Sequence, residues 1–548
     1  MSSSGFPWIT ALIVWPTIGA LVLWLLPARA AGARRRAREI ALGVALVELA
    51  LAVGALLAFD TSDAATHQLL ETHSWIPSFG VSYAVGVDGV GLALVLLSVL
   101  LVPLVILAAW REQGSIGHAT DRLRNYLALV LLLTSFMVAV FAARDVFFFY
   151  VLFEAMLIPV YFMIGAFGGL QRRYAAVKFL LFSLAGGLVM LVGVIALYLQ
   201  GPRGEQGFLT ENLVGIDLST STERWLFLAF FFAFAVKAPM FPVHTWLPDA
   251  AEQAPAGTST LLVGVLDKVG TFGMLTLCLP LFPNASRWAA PVIIVLAVIS
   301  IFYGALLAIG QQNLLRLVAY TSVSHFGFIV LGIFAFTSTS VAGASFYMVN
   351  HGLSTGGLFL LAGFLVARRG SARIADFGGL QKVTPVLAGT FLVTGLSALS
   401  LPGLSTFVSE FLVLVGTYGR HRPAAVVAAV AVVLAALYIL LTYQRIFTGP
   451  VRDELAKTPD LGARERWVIA PLIAIMLVLG FYPAPALDLV RDPAGVTLEQ
   501  VGVQDAPAAA AQAAGDTLGA DTGVGALADA GGSKDAGASA GTGEGSDK

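Results

Sequence analysis

Cysteine and charged residues are both scarce in this sequence. Of its 548 residues only one is a cysteine, Cys278, and 12% are charged. A single thiol cannot form a disulfide within the chain or build a zinc or iron–sulfur site. The sequence also shows no quinone, NADH, flavin or metal site that we can identify, so we expect no metal site and no cofactor-binding site in this chain. The net charge of −1 gives no reason to expect a nucleic-acid partner.

Apolar residues take the place of the missing charge. They make up 58% of the chain, and the mean hydropathy is +0.85, whereas soluble domains carry about 25% charged residues. Windows of about 19 residues give about 14 apolar runs. We therefore predict an all-α polytopic membrane protein with about 14 transmembrane helices. The predicted spans cover residues 8–26, 40–58, 90–110, 124–142, 146–166, 175–199, 225–247, 258–280, 289–309, 314–335, 342–367, 384–417, 424–447 and 467–488.

Charged residues between these spans predict the orientation of the chain. Arginines concentrate in the loops after the first, fifth and eleventh spans, for example at Arg34–Arg36 and Arg172. The loops after the second and sixth spans are acidic instead, with Asp60 and Glu211 among their residues. Positive loops usually face the cytoplasm. Both termini are then predicted on the outer side of the membrane.

Six of the ionisable residues that lie inside predicted spans are candidate functional residues. Each costs about 2.5–3.5 kcal/mol to insert at the centre of a membrane helix, so such residues are usually paired and functional. A lysine near the end of a span can instead reach the headgroups, which is how we interpret Lys178. A buried histidine is often only structural, and each of the two histidines taken alone leaves that interpretation open. The six residues are Glu154, Lys237, Lys268, His325, His351 and Glu410.

The sequence leaves the role of two further residues within predicted spans undetermined. Asp267 precedes Lys268 directly and points about 100° away from it around a helix, so the two side chains need not face one cavity. His244 follows Lys237 within the same interrupted span, where it either lines a path or caps the helix. Glu154 has no ionisable neighbour one turn away in its own span, so it needs a partner on another helix or a bound proton.

Proline and glycine interrupt two of the spans. Pro239 and Pro242 follow Lys237, and Pro402 and Gly403 precede Glu410. Proline removes a backbone donor, and freed carbonyls at membrane depth are tolerated only within protein or along a water cavity. Paired interrupted spans are typical of transporters built from inverted repeats.

The spacing of these features predicts two inverted five-helix repeats, each with one broken helix. Glu154 precedes Lys237 by 83 residues, and His325 precedes Glu410 by 85 residues. The predicted organisation comprises N-terminal helices 1–3 (1–122), a first repeat (123–280, broken near 237–242), a second repeat (281–447, broken near 399–407), a C-terminal helix (448–490) and an acidic disordered tail (491–548).

Five motifs in this order resemble the antiporter-like membrane subunits of respiratory complex I, the bacterial NADH–quinone oxidoreductase. They are FAVKAPMFPVHTWLPDA, LLVGVLDKVG, RLVAYTSVSHFGF, NHGLSTGGLFLLAG and LPGLSTFVSEF, and the match runs from about residue 85 to 447. Glu410 resembles M-type subunits and the related D-type subunit of multisubunit Na⁺/H⁺ antiporters, which carry glutamate at this position, whereas L- and N-type subunits usually carry lysine. Asp267 departs from the pattern, since those subunits carry an apolar residue at this position.

The resemblance implies a proton-translocating role for the six ionisable residues, which would form a polar axis along the membrane midplane. A nearby carboxylate favours the charged form of a lysine, and desolvation favours the neutral form. Glu154 is then the expected partner that controls proton release from Lys237. His325 and His351 suit relay work between Lys268 and Glu410.

The resemblance also implies the setting of the chain. It predicts a multi-pass protein of the bacterial cell membrane with neighbouring L- and N-type subunits and a peripheral redox arm as partners, besides membrane lipids. FMN, iron–sulfur clusters, NADH and quinone are expected in other subunits of the complex, and no redox active site is expected in this chain.

Two alternatives remain at this point. The D-type subunit of a multisubunit Na⁺/H⁺ antiporter, or a membrane-bound hydrogenase relative, would share the same axis. A polytopic lipid-modifying enzyme would use glutamate and histidine for acid–base chemistry, but it predicts those residues in loops at the membrane interface. The ionisable residues of this sequence lie within the spans instead.

Overall fold

Helices account for most of the structure, as the long apolar runs require. The computed structural model describes residues 5–27, 29, 32–110 and 119–505. Residues up to Val503 form one compact unit, and the second unit, Gln504–Lys548, is described only at its first two residues. The first helices and strands are α1 (Trp8–Leu25), α2 (Ala33–Ala58), β1 (Gln68–Ile76), β2 (Val81–Val87), α3 (Gly89–Ala109), α4 (Thr120–Ala142), α5 (Val146–Ala155), α6 (Leu157–Phe167), α7 (Arg172–Gln200), α8 (Thr210–Leu213), α9 (Thr220–Lys237) and α10 (Trp246–Gln253).

The remaining elements include two short stretches of π-helix. They are α11 (Ala256–Leu261), a first π-helix (Leu262–Leu266), α12 (Lys268–Gly273), a second π-helix (Met274–Cys278), α13 (Leu279–Leu281), α14 (Pro283–Ile309), α15 (Leu314–Phe334), α16 (Ser338–Arg369), α17 (Pro385–Ala398), α18 (Ser405–Arg420), α19 (Arg422–Phe447), α20 (Ala463–Phe481) and α21 (Ala484–Val501). The sequence predicted one continuous span over 258–280, and the structure replaces it by α-helix and π-helix in alternation.

The fold is mostly helical, as predicted, and the described residues add one β-hairpin to it. Strands β1 and β2 pair antiparallel, with Glu71 opposite Val85. The Glu71 carboxylate accepts hydrogen bonds from the backbone N–H groups of Ile9 and Thr10, each at 3.1 Å. These N–H groups lie in the first turn of α1 and have no partner within that helix. The hairpin therefore caps α1, a function that the apolar pattern of the sequence did not indicate.

Proline explains the short interruption between α5 and α6. Pro159 has no backbone N–H to donate to Ala155, four residues earlier, and its ring crowds that carbonyl. Helix α5 ends at Ala155, and α6 begins at Leu157. The interruption leaves Glu154 in the last turn of α5.

The two predicted breaks coincide with gaps between helices in the structure. Helix α9 ends at Lys237, and α10 begins only at Trp246. In this gap the indole N–H of Trp246 donates to the carbonyl of Val236 at 2.9 Å. Such a bond replaces the backbone partner that an unbroken helix would have supplied, as burial requires.

The second gap separates α17, which ends at Ala398, from α18, which begins at Ser405. Two residues in it have positive φ, Ser400 at 60° and Gly403 at 93°. Glycine adopts this left-handed backbone without steric cost, whereas serine does so rarely. The turn in this gap places Ser400 on the buried side, where the residue is 6% exposed.

Eleven helices of the described residues are long and apolar enough to cross a membrane, and twelve if the bent pair α20–α21 counts as one span. The predicted spans over 225–247 and 384–417 are missing from this set, and both are interrupted in the structure. Helix α9 is only 18 residues long and includes Glu223, Arg224 and Lys237, while α17 and α18 have 14 and 16 residues. The count of about 14 stays a prediction.

The prediction of a disordered tail from residue 491 begins too early. Helix α21 extends to Val501 and buries Leu498 and Val501 against the rest of the unit. It packs on α16 and α3 after a bend of 68° from α20. The polar residues that suggested disorder are those of an amphipathic helix, whose apolar positions are spaced for one face. Residues 506–548 of the predicted tail lie outside the described residues.

Helix α12 packs unusually close to the end of α9. A Cβ atom added at Gly270 would lie 2.5 Å from the carbonyl oxygen of Phe234 and 2.6 Å from the backbone nitrogen of Ala238. Only glycine leaves room for this backbone approach. The approach brings the π-helix region next to Lys237.

We expect the substitution Gly270→Ala to destabilise the protein because the new methyl group meets backbone atoms that cannot move independently. Overpacking of this kind costs about 1–3 kcal/mol. Thermal unfolding of the detergent-solubilised protein measures the effect.

The matched control for this prediction is Gly389→Ala in α17, where an added Cβ has no neighbour within 4 Å. We expect no loss of stability there, because alanine favours helix by up to about 1 kcal/mol over glycine. Equal unfolding temperatures for the two variants would contradict the close packing of α12 on α9.

Candidate functional site

The six predicted site residues lie on six different helices. Glu154 lies in the last turn of α5, Lys237 ends α9, Lys268 begins α12, and the last three lie within α15, α16 and α18. Five of them are at most 5% exposed, and Glu154 is half-buried. The five buried residues are Lys237, Lys268, His325, His351 and Glu410.

Glu410 accepts two hydrogen bonds at its Oε2 atom. Tyr347 Oη and Ser400 Oγ donate to it, each at 2.6 Å. Both donors come from other elements, α16 and the gap between α17 and α18. Hydrogen bonds to a charged group are short and about twice as strong as those between neutral groups, so this carboxylate is held firmly inside the protein.

Tyr347 connects Glu410 to the histidines. Its hydroxyl lies 2.8 Å from His325 Nδ1, and the ring of His325 lies 5.3 Å from the ring of His351 between centroids. His351 Nδ1 lies 2.7 Å from Lys268 Nζ. A polar series thus runs from Lys268 through His351, His325 and Tyr347 to Glu410, with one step between the two imidazole rings that no direct hydrogen bond spans.

The hydrogen-bond partners fix the direction of this series. A charged Lys268 donates to His351 Nδ1, so the hydrogen of a neutral His351 ring lies on Nε2. Tyr347 gives its own hydrogen to Glu410, so its oxygen accepts from His325 and the hydrogen of that ring lies on Nδ1. The two Nε2 atoms, which have no partner among the described residues, are then one donor and one acceptor. Every donor points from Lys268 towards Glu410.

The first π-helix gives Lys268 its second partner. The backbone N–H of Asp267 bonds to the carbonyl of Leu262, five residues back, rather than to Val263 as in an α-helix. The carbonyl of Val263 accepts a hydrogen bond from Lys268 Nζ at 2.5 Å. The ring of Phe326 lies 5.3 Å from the same ammonium group, close enough for a cation–π interaction.

Lys237 has a different environment, without any hydrogen bond to its ammonium group among the described residues. Two aromatic rings face it, Phe153 at 5.1 Å and Phe179 at 5.8 Å from Nζ to the centroids. A cation–π contact is worth about 0.5–2 kcal/mol, and Lys268 has such a contact together with two hydrogen bonds. Lys237 is therefore held more weakly than Lys268.

Glu154 and Lys237 attract each other electrostatically but form no direct ion pair in the structure. Glu154 Oε1 has no hydrogen-bond partner among the described residues. The carboxylate packs instead against Gly187 of α7, where an added Cβ would lie 1.6 Å from that oxygen. We expected Glu154 to have a partner on another helix. In the structure it interacts electrostatically with Lys237 at a distance, without a hydrogen bond or an ion pair.

Asp267 and His244, whose roles the sequence left open, are both buried. Asp267 has no hydrogen-bond partner for either carboxylate oxygen within the described ranges. His244 Nδ1 is likewise unpaired there, and its ring lies 5.1 Å from the ring of Tyr303. His244 therefore faces aromatic rings in the gap after α9.

The sequence analysis missed Tyr347 and Ser400. Tyr347 lies one helical turn before His351 on α16, and this i, i+4 spacing puts both on one face, so the periodicity carried a signal. Ser400 carried none, because its side chain reaches Glu410 only through the left-handed backbone of the gap.

A cluster of ion pairs was also missed. Asp249 of α10 binds Lys178 of α7 at 2.6 Å and Arg316 of α15 at 2.5 Å, and Arg316 also binds Glu252 at 2.9 Å. Lys178 is therefore not a headgroup-seeking lysine, which corrects our interpretation of it. These pairs join three helices that are far apart in the sequence.

The described residues contain no group of three or more His, Cys, Asp or Glu side chains that could hold a metal ion. The polar groups of the site are spread along a line and not gathered around a point. Their arrangement suits stepwise transfer of protons between neighbouring side chains.

Comparison with known proteins gives consistent similarities. Residues 143–435 match the family model described as NADH:quinone oxidoreductase/Mrp antiporter, TM. The chain is 46% identical over 530 residues to the NADH-quinone oxidoreductase subunit M of Mycobacterium tuberculosis (strain CDC 1551 / Oshkosh), which covers 91% of this chain and 95% of that protein.

Two solved structures are similar to this one. A chain of respiratory complex I from Thermus thermophilus with bound NADH has a TM-score of 0.81 and 31% identity, and the match covers 90% of this chain and 99% of that chain. A chain of the Mrp complex from Dietzia sp. DQ12-45-1b has a TM-score of 0.78 and 22% identity, with 90% and 99% coverage. At that identity the second likeness concerns the fold alone.

We expect Asp249→Asn to lower the unfolding temperature, because it leaves Lys178 and Arg316 without their shared anion. Breaking a buried pair costs about 3–5 kcal/mol, and we expect less here, since these side chains are 19–27% exposed. Thermal unfolding of the detergent-solubilised protein tests this.

Glu39→Gln is the matched control for Asp249→Asn. It removes the anion of an exposed pair, Arg35–Glu39, whose side chains are 82% and 49% exposed. Such a surface pair contributes about 0–1 kcal/mol. A larger loss of stability for this variant than for Asp249→Asn would contradict the structural role of the cluster.

Proposed function

The chain belongs to the NADH:quinone oxidoreductase/Mrp antiporter transmembrane family, and on that premise we propose that it is the M-type, proton-translocating membrane subunit of a respiratory NADH–quinone oxidoreductase. Relatives named subunit M cover nearly the whole chain, and a chain of complex I shares its fold. The observation that carries the proposal is the buried polar series from Lys268 to Glu410.

Translocation begins at Lys237 in this proposal. Glu154 attracts its ammonium group from a distance, and aromatic rings supply the rest of its surroundings. When Glu154 is neutralised or moves away, desolvation favours the neutral amine and Lys237 releases its proton towards Lys268. The absence of a direct ion pair leaves this control sensitive to small movements of α5.

The second half of the path runs along the series of donors. Lys268 passes a proton to His351 Nδ1, and the ring releases one from Nε2 towards His325. His325 Nδ1 passes a proton to Tyr347 as Tyr347 gives its own to Glu410. Each transfer breaks one N–H or O–H bond and forms another, so the net result is one proton moved from Lys268 to Glu410. Each imidazole is left with its hydrogen on the other ring nitrogen, and both rings return to their first tautomer before the next proton passes.

The surroundings of the subunit are part of the proposal. Neighbouring L- and N-type subunits adjoin it in the membrane and a peripheral arm supplies the redox energy, with FMN, iron–sulfur clusters, NADH and quinone bound in other subunits and no redox site in this chain. Its membrane is the bacterial cell membrane. The arginine-rich loops face the cytoplasm and both termini face the outer side.

Two inverted repeats, 123–280 and 281–447, complete the proposed organisation. The gaps after Lys237 and after Ala398 support it, because in each range a helix is interrupted close to an ionisable residue of the axis. Half-helices of this kind direct their dipoles and free carbonyls at the transport path.

The alternatives are less well supported. The likeness to the Mrp complex, at 22% identity, concerns the fold alone, whereas relatives named subunit M are 35–46% identical. A lipid-modifying enzyme needs its acid–base residues in loops at the membrane interface. The site residues described here lie on helices instead, and most of them are buried. Co-purification of flavin and iron–sulfur subunits with the native chain would distinguish the complex I subunit from both.

Lys237→Ala is expected to abolish proton translocation coupled to NADH oxidation, because it removes the group that holds and releases the proton. The measurement is proton uptake by sealed membrane vesicles that carry the variant complex, with a pH-sensitive dye as the readout. NADH oxidation by a soluble electron acceptor reports assembly and should be unchanged.

Lys457→Ala is the matched control, since Lys457 lies exposed in the loop before α20. Its coupled turnover should equal that of the parent complex. Normal proton uptake in an assembled Lys237→Ala complex would refute the proposed role of this lysine.

Tyr347→Phe is expected to slow coupled proton translocation by about tenfold. The change removes one hydroxyl that bridges His325 and Glu410, and a hydrogen bond to a charged group is worth about 1.5–3 kcal/mol, where 1.36 kcal/mol is a factor of ten in rate. Initial rates of dye response in the same vesicles measure it.

Tyr482→Phe makes the same chemical change on a side chain that is 65% exposed, and we expect no effect on translocation there. If Tyr347→Phe also translocates protons at the parent rate, the tyrosine is not a step of the path.

A further inference from the structure

Asp267 is a buried carboxylate that the path described above does not use. It is 0% exposed, and neither of its oxygens has a hydrogen-bond partner in the described part of the chain. Burying a carboxylate away from water is costly unless charges or hydrogen bonds compensate it. The two lysines of the axis are the charges that act on it.

The positions of residues around α12 show how Asp267 lies relative to Lys237 and Lys268. Gly270 marks the side of α12 that touches α9, against the backbone of Phe234 and Ala238 on either side of Lys237. Asp267 lies one turn before Gly270, and residues three apart are neighbours on a helix surface. Asp267 is therefore on the side of α12 that faces the end of α9.

Lys268 lies on another side of the same helix. It is two residues from Gly270, about 200° around the axis, and its ammonium group contacts His351 of α16 and the ring of Phe326 of α15. The adjacent residues Asp267 and Lys268 thus face the first and the second half of the path, respectively.

The first π-helix provides a hydrogen-bond partner for Lys268 but none for Asp267. It ends at Leu266, directly before Asp267, and it supplies the Val263 carbonyl to Lys268. No carbonyl or N–H group is supplied to the Asp267 side chain. Lys268 is anchored, and Asp267 has nothing but the electrostatic attraction of the two ammonium groups to hold it.

We propose that Asp267 is a further proton-carrying residue of the axis, which accepts a proton from Lys237 and passes it to Lys268. This inference rests on the proposed function, and it fills the one interval of the path for which that proposal named no carrier. Glu154 and Asp267 then both act on Lys237, one as the controlling charge and the other as the acceptor.

Two balanced steps make up the transfer. In the first, an N–H bond of the Lys237 ammonium group breaks and an O–H bond forms on Asp267, which leaves a neutral amine and a carboxylic acid. In the second, that O–H bond breaks and an N–H bond forms on a neutral Lys268, after it has given its own proton to His351. A water molecule or a small side-chain movement spans each interval, and no oxidant or reductant is needed.

The test uses the assembled complex in sealed vesicles and three variants of one residue. Asp267→Asn and Asp267→Leu both remove the proton carrier, and the leucine leaves no polar group that burial would keep unpaired. We expect either variant to lower the initial rate of coupled proton uptake at least about tenfold, because a positioned proton-transfer group typically contributes about 10²–10⁴-fold. Asp267→Glu keeps the carboxylate and should restore at least half of the parent rate.

The matched control is Glu48→Gln in α2. Glu48 is also 0% exposed and has no hydrogen-bond partner for its carboxylate among the described residues, but it lies outside the axis. Its proton uptake should equal that of the parent complex. An equal loss in Glu48→Gln, a parent-like rate in Asp267→Asn or Asp267→Leu, or an equal loss in Asp267→Glu would each overturn the proposal, the last because it would indicate a packing role.

Lys237→Ala in the same experiment separates this inference from the function on which it rests. If Lys237→Ala pumps protons normally, the proposed function fails together with the inference. If Lys237→Ala is inactive and Asp267→Leu is normal, the function stands and only the role of Asp267 fails. NADH oxidation by a soluble acceptor normalises every rate to the assembled complex.

Discussion

The structure depends on one physical constraint, the stabilisation of two ammonium groups that are buried away from water. Lys268 meets it with a carbonyl, an imidazole nitrogen and an aromatic ring. Lys237 has only two aromatic rings and the more distant charges of Glu154 and Asp267. A tightly held ammonium group and a weakly held one therefore lie on neighbouring helices. In the proposed path this difference favours proton transfer from Lys237 towards Lys268.

Irregular backbone supplies what the apolar side chains cannot. The first π-helix exposes the carbonyl of Val263 to Lys268, and the left-handed residue Ser400 brings a hydroxyl to Glu410. In the gap after α9 the Trp246 indole satisfies the carbonyl of Val236. In lipid each freed backbone group costs several kcal/mol unless it has a partner, and the carbonyls of Val263 and Val236 have such partners in Lys268 and Trp246.

Parts of the site could be predicted because they violate the rules for membrane helices. Lys237 beside Pro239, and Glu410 after Pro402, are conspicuous in an apolar chain, and the structure places both next to interrupted helices. Tyr347 violates no rule, because a tyrosine in an apolar helix is ordinary, and only its contacts with His325 and Glu410 reveal it. Lys178 was misassigned for the converse reason, since its partner Asp249 lies 71 residues away.

The sequence by itself determined that the chain is built from membrane-length helices, and which ionisable residues are buried in them. Hydropathy is a local property, and a charge within an apolar run is visible without any fold. The tertiary structure decided which of these groups meet: that Lys268 contacts His351, that Glu154 forms no ion pair with Lys237, and that the hairpin with Glu71 caps α1. Those contacts join residues far apart in the chain, and they depend on the close packing of helix backbones at glycines such as Gly270, which no local pattern specifies.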